Sequence, residues 1–460
     1  MSNANGDKVV RVGLAGLGNV GAGVYKNLLK NADLLWDRVR VNIQVARIAV
    51  KNPDKSRDVD VPAELLTGDW RELVADPGLP IIVELIGGTT DAYDLVKAAI
   101  LAGKTVVTGN KALLAEHGFE LVELAAVHNV PLYFEAAVAG GIPIIKAVRE
   151  ALIGNHIRAI YGIINGTTNF ILTRMSDAGL SYEQALAEAQ QAGYAEADPT
   201  LDVNGWDAGH KAIILAWLSY GHWVRPDEIC VEGIEKITPA DLKFARSMGC
   251  HIKLLAVIRL DASNRVEVRV QPSLVPRHHI LAHVNGVFNA VAVYGDIVGE
   301  TLFYGSGAGQ DATSSSVISD LADAAENRMT EAGANGFVPH GRYGHCQPVN
   351  DTVSSYYLRL RVEDVPGVIA KVAAVLASHR IGISSIVQPE VEATREADLM
   401  LMLHEAPFGD MKQARDEIGA LSCVLDAPVL MRVESLPSSH SQCRHCAKPN
   451  QPGPRETAVR

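Results

Sequence analysis

The chain has 460 residues, of which 48% are apolar and 21% charged, and its formal net charge at pH 7 is −11. This length is too great for one hydrophobic core and predicts two to four domains. The acidic balance argues against a nucleic-acid partner or an anionic membrane surface. The N-terminus lacks a secretory pattern, no apolar run approaches the roughly 20 residues that span a bilayer, and the six cysteines are scattered, so we expect a cytoplasmic protein.

Residues 1–137 alternate strand patterns with helical patterns. This order predicts an α/β domain of the Rossmann type, with a doubly wound parallel sheet and right-handed crossovers. The expected strands are Val9–Ala15, Val41–Val50, Ile81–Ile86 and Thr105–Thr108, and the expected helices are Ala22–Leu29 and Ala92–Leu101.

A glycine-rich segment follows the first strand and opens the first helix, which is the context in which such a motif binds a dinucleotide. Its glycines permit a tight turn, a close approach to the pyrophosphate and close helix packing. The predicted cofactor contacts are Gly16, Leu17, Gly18, Asn19, Val20 and Gly21. The second strand ends at the cation Lys51 instead of an acid, which favours NADP, with NAD use and a solvated lysine as the alternatives.

Further cofactor contacts are predicted in later loops. Gly87, Gly88 and Lys111 follow predicted strands at their carboxyl ends, where doubly wound sheets bind ligands. Gly193 and Gly307 are also assigned to the cofactor. For Gly307 the alternative is a packing role, because its glycine-rich loop either closes over the nicotinamide or lets a helix pack tightly.

Residues 138–320 mix longer helical patterns with strands such as Val266–Val270 and Val287–Tyr294. We expect an α+β domain for substrate binding and dimerisation. The strongest local signal in it is the segment 193–211, which packs four carboxylates and a lysine against an apolar helix.

Within that segment, Asp207 and Lys211 are four residues apart and share one face of a helix that looks buried. Buried charges must be paired or must bind something charged, although a surface ion pair is the simpler alternative. Glu196 and Asp202 lie in the preceding Pro/Gly loop. Asp198 is expected to belong to a helix-capping loop, with support of the substrate contacts from behind as the alternative.

The rest of the chain predicts a polar linker at 321–350, a compact βαββαβ domain at 351–435 and a disordered tail at 436–460. The tail carries His440, Cys443, His445 and Cys446. One short pair falls short of the spaced pairs of a typical zinc site, so zinc is the weaker hypothesis there.

Residues 8–320 resemble homoserine dehydrogenase in five motifs: Gly16–Gly21, Thr108–Lys111, Phe134–Pro143, Asn165–Phe170 and the highly specific Gly193–Lys211. That family interconverts L-homoserine and L-aspartate 4-semialdehyde with NAD(P)H. The resemblance implies that Lys211 is the general acid/base, with Lys111 beside it, and that Glu196 and Asp207 hold the substrate. It also implies a sodium or potassium loop, structural or catalytic, at Glu135, Val138, Gly140 and Ile142.

The residue types suit that chemistry. Hydride transfer to an aldehyde builds negative charge on oxygen, which a positioned ammonium group stabilises and protonates. Two lysines converging on one site should depress each other's pKa. The substrate carboxylate needs donors such as the Asn165–Thr168 loop, which adds Thr168 to the predicted substrate set. Asp202 is added as a group that supports the substrate contacts from behind, with a helix-capping loop as the alternative.

The C-terminal domain resembles the ACT domain, an amino-acid-sensing fold. The turn 364–367 presents backbone amides at a helix start, which suits a carboxylate, or is a plain strand-to-helix turn. The resemblance implies an effector site at Asp364, Gly367 and Val368, with L-threonine as the candidate inhibitor, and a homodimer or homotetramer. It further implies that deleting residues 351–460 preserves activity and abolishes threonine sensitivity.

Two other functions are considered. Aspartate-semialdehyde dehydrogenase shares the cofactor fold but needs a nucleophilic cysteine, and neither Cys230 nor Cys250 has a suitable context. A non-catalytic amino-acid sensor is the other alternative, and the intact acidic and lysine residues argue against it.

Overall fold

The computed structural model describes residues 9–261, 263–330, 345–388 and 396–436. Residues 437–460, which hold the histidines and cysteines of the predicted tail, and residues 331–344 of the predicted linker lie outside these ranges. Among the described residues, no helix is long and apolar enough to cross a membrane.

The first domain is built on a parallel sheet in the order β3-β2-β1-β4-β5-β6, as the sequence predicts. Its elements are β1 Val9–Ala15, α1 Asn19–Lys30, α2 Ala32–Val39, β2 Asn42–Ala49, β3 Leu66–Thr67, α3 Arg71–Ala75, β4 Ile81–Glu84, α4 Asp91–Leu101, β5 Thr105–Thr108, α5 Lys111–Val127 and β6 Leu132–Tyr133. Both sheet faces are covered: Ile82 and Val106 join the core around α4 and α5, while Ile81 and Val107 join the core around α1.

The second domain packs helices against a mixed sheet in the order β12-β11-β7-β9-β10, with β8 attached beside β10. Its elements are α6 Ile144–Lys146, β7 Ile157–Ile163, α7 Gly166–Ala178, α8 Tyr182–Gln191, α9 Thr200–Val203, α10 Trp206–Tyr220, β8 Cys230–Val231, α11 Pro239–Ser247, β9 Cys250–Leu260, β10 Val266–Pro276, β11 Phe288–Gly295, β12 Gly299–Ser306 and α12 Gln310–Thr330. The buried helix α10 lies against β9 and β10 and forms the centre of the domain.

The predicted boundary at 321 is wrong, because α12 continues through it to residue 330. Leu321 and Ala324 are buried in the core of the first domain, so this helix closes back onto the sheet that begins the chain. Gly23 of α1 permits the contact, since a Cβ there would lie 2.6 Å from Gln310 Cγ. The apolar stripe of α12 is narrow, so its second half resembles a polar linker in sequence.

The third domain has the predicted βαββαβ order, with its sheet arranged β16-β13-β15-β14. Its elements are β13 Val353–Glu363, α13 Val368–Ser378, β14 Ile383–Val387, β15 Glu396–Pro407, α14 Phe408–Gly419 and β16 Val429–Val433. In addition, β16 pairs in parallel with β10, at Ser273 with Arg432 and at Leu274 with Val433. The second and third domains therefore share one continuous sheet.

Buried charges cross this joint between β10 and β16. Arg269 donates from Nε to Glu267 at 2.7 Å and from Nη2 to Glu434 at 2.7 Å, and all three side chains are buried. Beside them the buried Arg432 contacts Gln271 at 3.0 Å. Removing one partner of such a group leaves an uncompensated buried charge, so the two domains are structurally interdependent.

Candidate active site

The glycine turn between β1 and α1 has the geometry of a dinucleotide site. Gly16 has φ +98°, and a Cβ there would lie 2.3 Å from the carbonyl oxygen of Leu85, while a Cβ on Gly21 would lie 2.1 Å from the carbonyl oxygen of Gly16. A Cβ on Gly18, by contrast, would meet no atom within 4 Å. Two glycines are thus required by the fold, and the third leaves open the space that a pyrophosphate approaches at a helix N-terminus.

The other residues of the turn serve the same element. Leu17 is buried, Val20 is half-buried, and Asn19 begins α1. The carbonyl oxygen of Asn19 accepts from Gln310 Nε2 at 3.0 Å. The start of α12 therefore lies directly against the glycine turn. Lys51 lies just beyond the end of β2 and is exposed.

The loops after β4 and β5 are tied together by residues that sequence reasoning missed. The buried carboxylate of Glu84 accepts from the backbone of Ile86 at 2.9 Å and of Gly87 at 3.2 Å. Asn110 caps α5 and donates to the carbonyl oxygen of Gly88 at 2.7 Å. Burial raises the pKa of Glu84. The sequence does contain a signal for Glu84, because it is an acidic residue at the end of an otherwise apolar strand.

Lys111 and Lys211 meet on one buried carboxylate. Asp207 Oδ1 lies 2.9 Å from Lys111 Nζ, and Asp207 Oδ2 lies 2.7 Å from Lys211 Nζ. Lys211 also donates to the carbonyl oxygen of Ile164 at 2.7 Å. The side chain of Lys111 is 42% exposed, whereas that of Lys211 is 10% exposed. The spacing of four residues in α10 thus forms a buried ion pair, and Lys111 joins it from the first domain.

The charges perturb one another, but not as the sequence predicts. The pKa of Lys111 is raised, because the attraction of the nearby Asp207 outweighs the opposing effect of burial, so the expected depression is wrong for Lys111. Burial alone would raise the pKa of Asp207, but Lys211 and Lys111 hold it below its ordinary value. Burial, and then Asp207, raise the pKa of the neighbouring Asp202.

The remaining predicted substrate residues surround this group. Asn165 Nδ2 donates to Asp202 at 2.7 Å and to Asp207 at 2.8 Å, and Thr168 is buried behind it. Glu196 is exposed, and its charge contributes to the raised pKa of Lys111. Asp198 accepts from the backbone N–H of Thr200, the first residue of α9, at 3.2 Å, although Pro199 and not Asp198 occupies the N-cap position of that helix.

The predicted cation loop is a buried turn. Both Glu135 carboxylate oxygens accept backbone N–H groups, from Ile145 at 2.9 Å and from Lys146 at 2.7 Å, and burial raises the pKa of Glu135. The carbonyl oxygen of Gly140 accepts from Ser316 at 2.6 Å, and that of Ile142 accepts from Ile144 at 2.8 Å. Val138 is fully buried. In the part of the chain that the structure describes, no group of three or more His, Cys, Asp or Glu side chains is placed to hold a metal.

Two predicted cofactor glycines have structural explanations, one from packing and one from backbone conformation. Gly307 fills a tight gap, since a Cβ there would lie 1.8 Å from Asn289 Nδ2, and a Cβ on Gly140 would lie 2.4 Å from the Gly307 carbonyl oxygen. This favours the packing alternative for Gly307. Gly193 has φ +74°, follows the C-terminal end of α8 and is exposed, which suits a helix-terminating residue.

The predicted effector turn leads into α13. Gly367 precedes the helix with φ +96°, and a Cβ there would meet no atom within 4 Å. Asp364 accepts from Gln388 at 3.1 Å, and Val368 is buried. The turn thus presents an open backbone at a helix start, next to an exposed carboxylate.

A dinucleotide turn, and a cleft in which two ammonium groups share a buried carboxylate, define a nicotinamide-dependent oxidoreductase with an attached ACT-like domain. Comparisons with known proteins make this specific. Family models match for the homoserine dehydrogenase NAD-binding domain at 16–135, for homoserine dehydrogenase at 143–322 and for the ACT domain at 356–423.

Whole-length relatives agree. A homoserine dehydrogenase of Pseudomonas aeruginosa is 44% identical over 441 residues, covering 93% of this chain and 100% of that protein. One of Neisseria gonorrhoeae is 43% identical over 436 residues, covering 93% and 99%. The crystal structure of a homoserine dehydrogenase from Thiobacillus denitrificans matches with a TM-score of 0.86 at 41% identity, covering 93% of this chain and 98% of that one.

The chain belongs to the homoserine dehydrogenase family, as its motifs predict. It is an oxidoreductase acting on a CH–OH group, and it interconverts L-homoserine and L-aspartate 4-semialdehyde with a nicotinamide cofactor. Aspartate-semialdehyde dehydrogenase is thereby set aside. Burial also raises the pKa of Cys230 to about 11, which makes it a poor nucleophile.

Proposed function

We propose that Lys211 is the proton donor and acceptor at the substrate oxygen and that Lys111 assists it. The observation that supports this is the shared carboxylate, with both ammonium groups within 2.9 Å of Asp207. The bound cofactor supplies the hydride. An ammonium group fixed beside the substrate oxygen stabilises the charge that develops there and then transfers a proton.

Substrate binding follows from the difference in exposure between the lysines. Asp207 Oδ1 faces Lys111, so the substrate ammonium joins Lys111 on this oxygen or takes its place, and the 42% exposed Lys111 moves more readily than the buried Lys211. Once Lys111 leaves Asp207, the attraction that raises its pKa weakens. Glu196 and Asp202 add the remaining negative charge, and Thr168 supports this group from behind by donating to Asn165.

Substituting each lysine tests these roles. Lys211→Met and Lys111→Met should each reduce kcat for NADPH oxidation with aspartate semialdehyde by about 10²- to 10⁴-fold. Lys97→Met is the matched control, because Lys97 forms a surface pair with Glu120 at 3.1 Å. Full activity in the Lys211 variant would contradict the proposal.

We further propose NADP as the preferred cofactor, with NAD as the weaker one. The support is the exposed Lys51 just beyond β2, where an acid would favour NAD. Lys51→Glu should raise KM for NADPH more than KM for NADH. An unchanged ratio of the two KM values argues against this role.

A sodium or potassium ion at Glu135, Val138, Gly140 and Ile142 is proposed as a structural ligand of the buried turn. The carbonyl oxygens at 140 and 142 already accept hydrogen bonds, so an ion there adds to an existing network. Activity and melting temperature in tetramethylammonium buffer, compared with sodium or potassium buffer, test for it. No difference between the buffers would count against an ion.

L-Threonine is the proposed effector, bound at the turn of Asp364, Gly367 and Val368, where the open backbone suits a carboxylate. Gly367→Ala should abolish threonine inhibition and leave kcat without threonine unchanged. Inhibition that persists at the same threonine concentration would reject this site.

A homodimer or homotetramer is proposed because strand edges remain available. One edge of the third domain's sheet is taken by β10, which leaves β14 as its outer strand among the described residues. β12 similarly ends the sheet of the second domain, with Tyr304 55% exposed. Light scattering determines the subunit number, and a monomer would refute the proposal. A cytoplasmic location suits the free cysteines and is tested by cell fractionation.

A further inference from the structure

Asn165 uses the full hydrogen-bonding capacity of its side-chain amide. Nδ2 donates to Asp202 Oδ1 at 2.7 Å and to Asp207 Oδ2 at 2.8 Å. Oδ1 accepts from the backbone N–H and from the hydroxyl of Thr168, each at 2.8 Å. Because a backbone N–H only donates, the amide oxygen must face α7 and the amide nitrogen must face the carboxylates.

This arrangement restrains the carboxylate that both lysines share. Asp207 Oδ2 accepts hydrogen bonds from both Asn165 and Lys211, while Oδ1 faces the ammonium group of Lys111. Rotation of the carboxylate would exchange its oxygens between the lysines. A second donor on Oδ2, anchored to the first turn of α7, opposes that rotation and also separates Asp207 from Asp202.

We infer that Asn165 is a positioning residue, which orients Asp207 so that Lys211 is presented to the substrate. This inference rests on the proposed roles of Lys211 and Asp207. It also revises the expectation that this loop donates to the substrate carboxylate, because both amide hydrogens of Asn165 are already engaged. Serine would cap α7 but has one hydrogen on a shorter side chain, and aspartate would cap α7 but has none to donate.

These differences separate capping from positioning. Asn165→Ser should keep the cap of α7 and the far-ultraviolet circular dichroism spectrum of the wild type, while kcat falls about 10- to 100-fold and KM for NADPH stays unchanged. Asn165→Asp adds a third carboxyl group, which faces Asp202 and Asp207; the other charged or titratable groups around it are Lys111, Lys211, Glu196 and His210. The acid limb of its kcat/KM profile should move up by about one pH unit.

Ser181→Ala is the matched control, since Ser181 caps the neighbouring helix α8 by accepting from Gln184. It should lose a cap with no change in kcat or in the pH profile. Wild-type kcat in Asn165→Ser, or an unmoved acid limb in Asn165→Asp, overturns the inference. If Lys211→Met and Asp207→Asn also keep full activity, the proposed roles themselves fail; if those two lose activity, only the positioning role fails.

Discussion

Asp207→Asn removes the negative charge at the centre of the active site with little change in volume. The carboxylate is 7% exposed and lies 2.7 Å from Lys211 and 2.9 Å from Lys111. An amide in its place leaves the Lys211 ammonium buried beside neutral oxygens, the carbonyl oxygen of Ile164 and that of the new amide, with no negative charge to compensate it. We therefore expect a loss of stability as well as of activity.

The expected loss comes mainly from Lys211. Breaking a buried ion pair costs about 3–5 kcal/mol, because one charge remains uncompensated. The 42% exposed Lys111 can turn to water, so its contact adds less than about 1 kcal/mol. The retained carbonyl contact of Lys211 places the total near the lower bound, at about 3 kcal/mol in the free energy of unfolding.

The pH dependence follows from the lowered pKa of Asp207 in the folded protein. A depressed carboxyl pKa contributes stability that is present above the unfolded pKa, about 3.9, and is lost as pH falls through the lower folded pKa. The difference between wild type and Asp207→Asn in urea unfolding should thus stay constant from about pH 8 to pH 5. A difference below about 1 kcal/mol at pH 7 would refute the reasoning. Asp227→Asn, which breaks the exposed pair with Arg225, should be nearly neutral.

Three further substitutions test other parts of the structure. Gly18→Ala should keep the melting temperature and raise KM for NADPH about tenfold, because the added methyl group obstructs the pyrophosphate. Gly16→Ala places its Cβ 2.3 Å from a carbonyl oxygen and should lower the melting temperature. Equal melting temperatures of the two variants would contradict this. Glu434→Gln should lower the free energy of unfolding in urea by about 3 kcal/mol, because Arg269 loses a buried charged partner. An unchanged free energy of unfolding would contradict the structural interdependence of the second and third domains. Glu84→Leu removes the oxygen that accepts both backbone N–H groups and should raise KM for NADPH without changing kcat, so an unchanged KM would exclude a role in the cofactor loops.

The sequence predicted the parts of the site whose geometry depends on residues close together in the chain. Gly16 to Gly21 form one turn, and Asp207 and Lys211 lie one helical turn apart, so short-range geometry determines both. The attachment of Lys111 to Asp207 joins residues nearly a hundred positions apart, and local patterns contain no distance of that kind. The direction of the pKa shift of Lys111 was predicted wrongly for the same reason, since it depends on the carboxylate that lies between the two lysines.

Element ends were missed where a local rule was overridden by tertiary contacts. Pro272 interrupts the apolar pattern of β10 and suggests an end near Val270, yet the strand continues to Pro276. It continues because β9 pairs with it along its whole length. Likewise, the polar second half of α12 is helical because the first domain buries its narrow apolar stripe.

The shared sheet changes how regulation must be tested. Deleting residues 351–460 removes β16 from the edge of β10 and takes Glu434 away from the buried Arg269. Next to that edge, β8 pairs with β10 at Arg269 and Val270, and Val231 of β8 contacts the start of α10, where a Cβ on Gly209 would lie 3.2 Å from it. The truncation should therefore disturb the helix that carries Asp207 and Lys211. A loss of activity in the truncated enzyme would then not test whether threonine binds the third domain. A single substitution in the effector turn leaves this joint intact, so it alone separates sensing from catalysis.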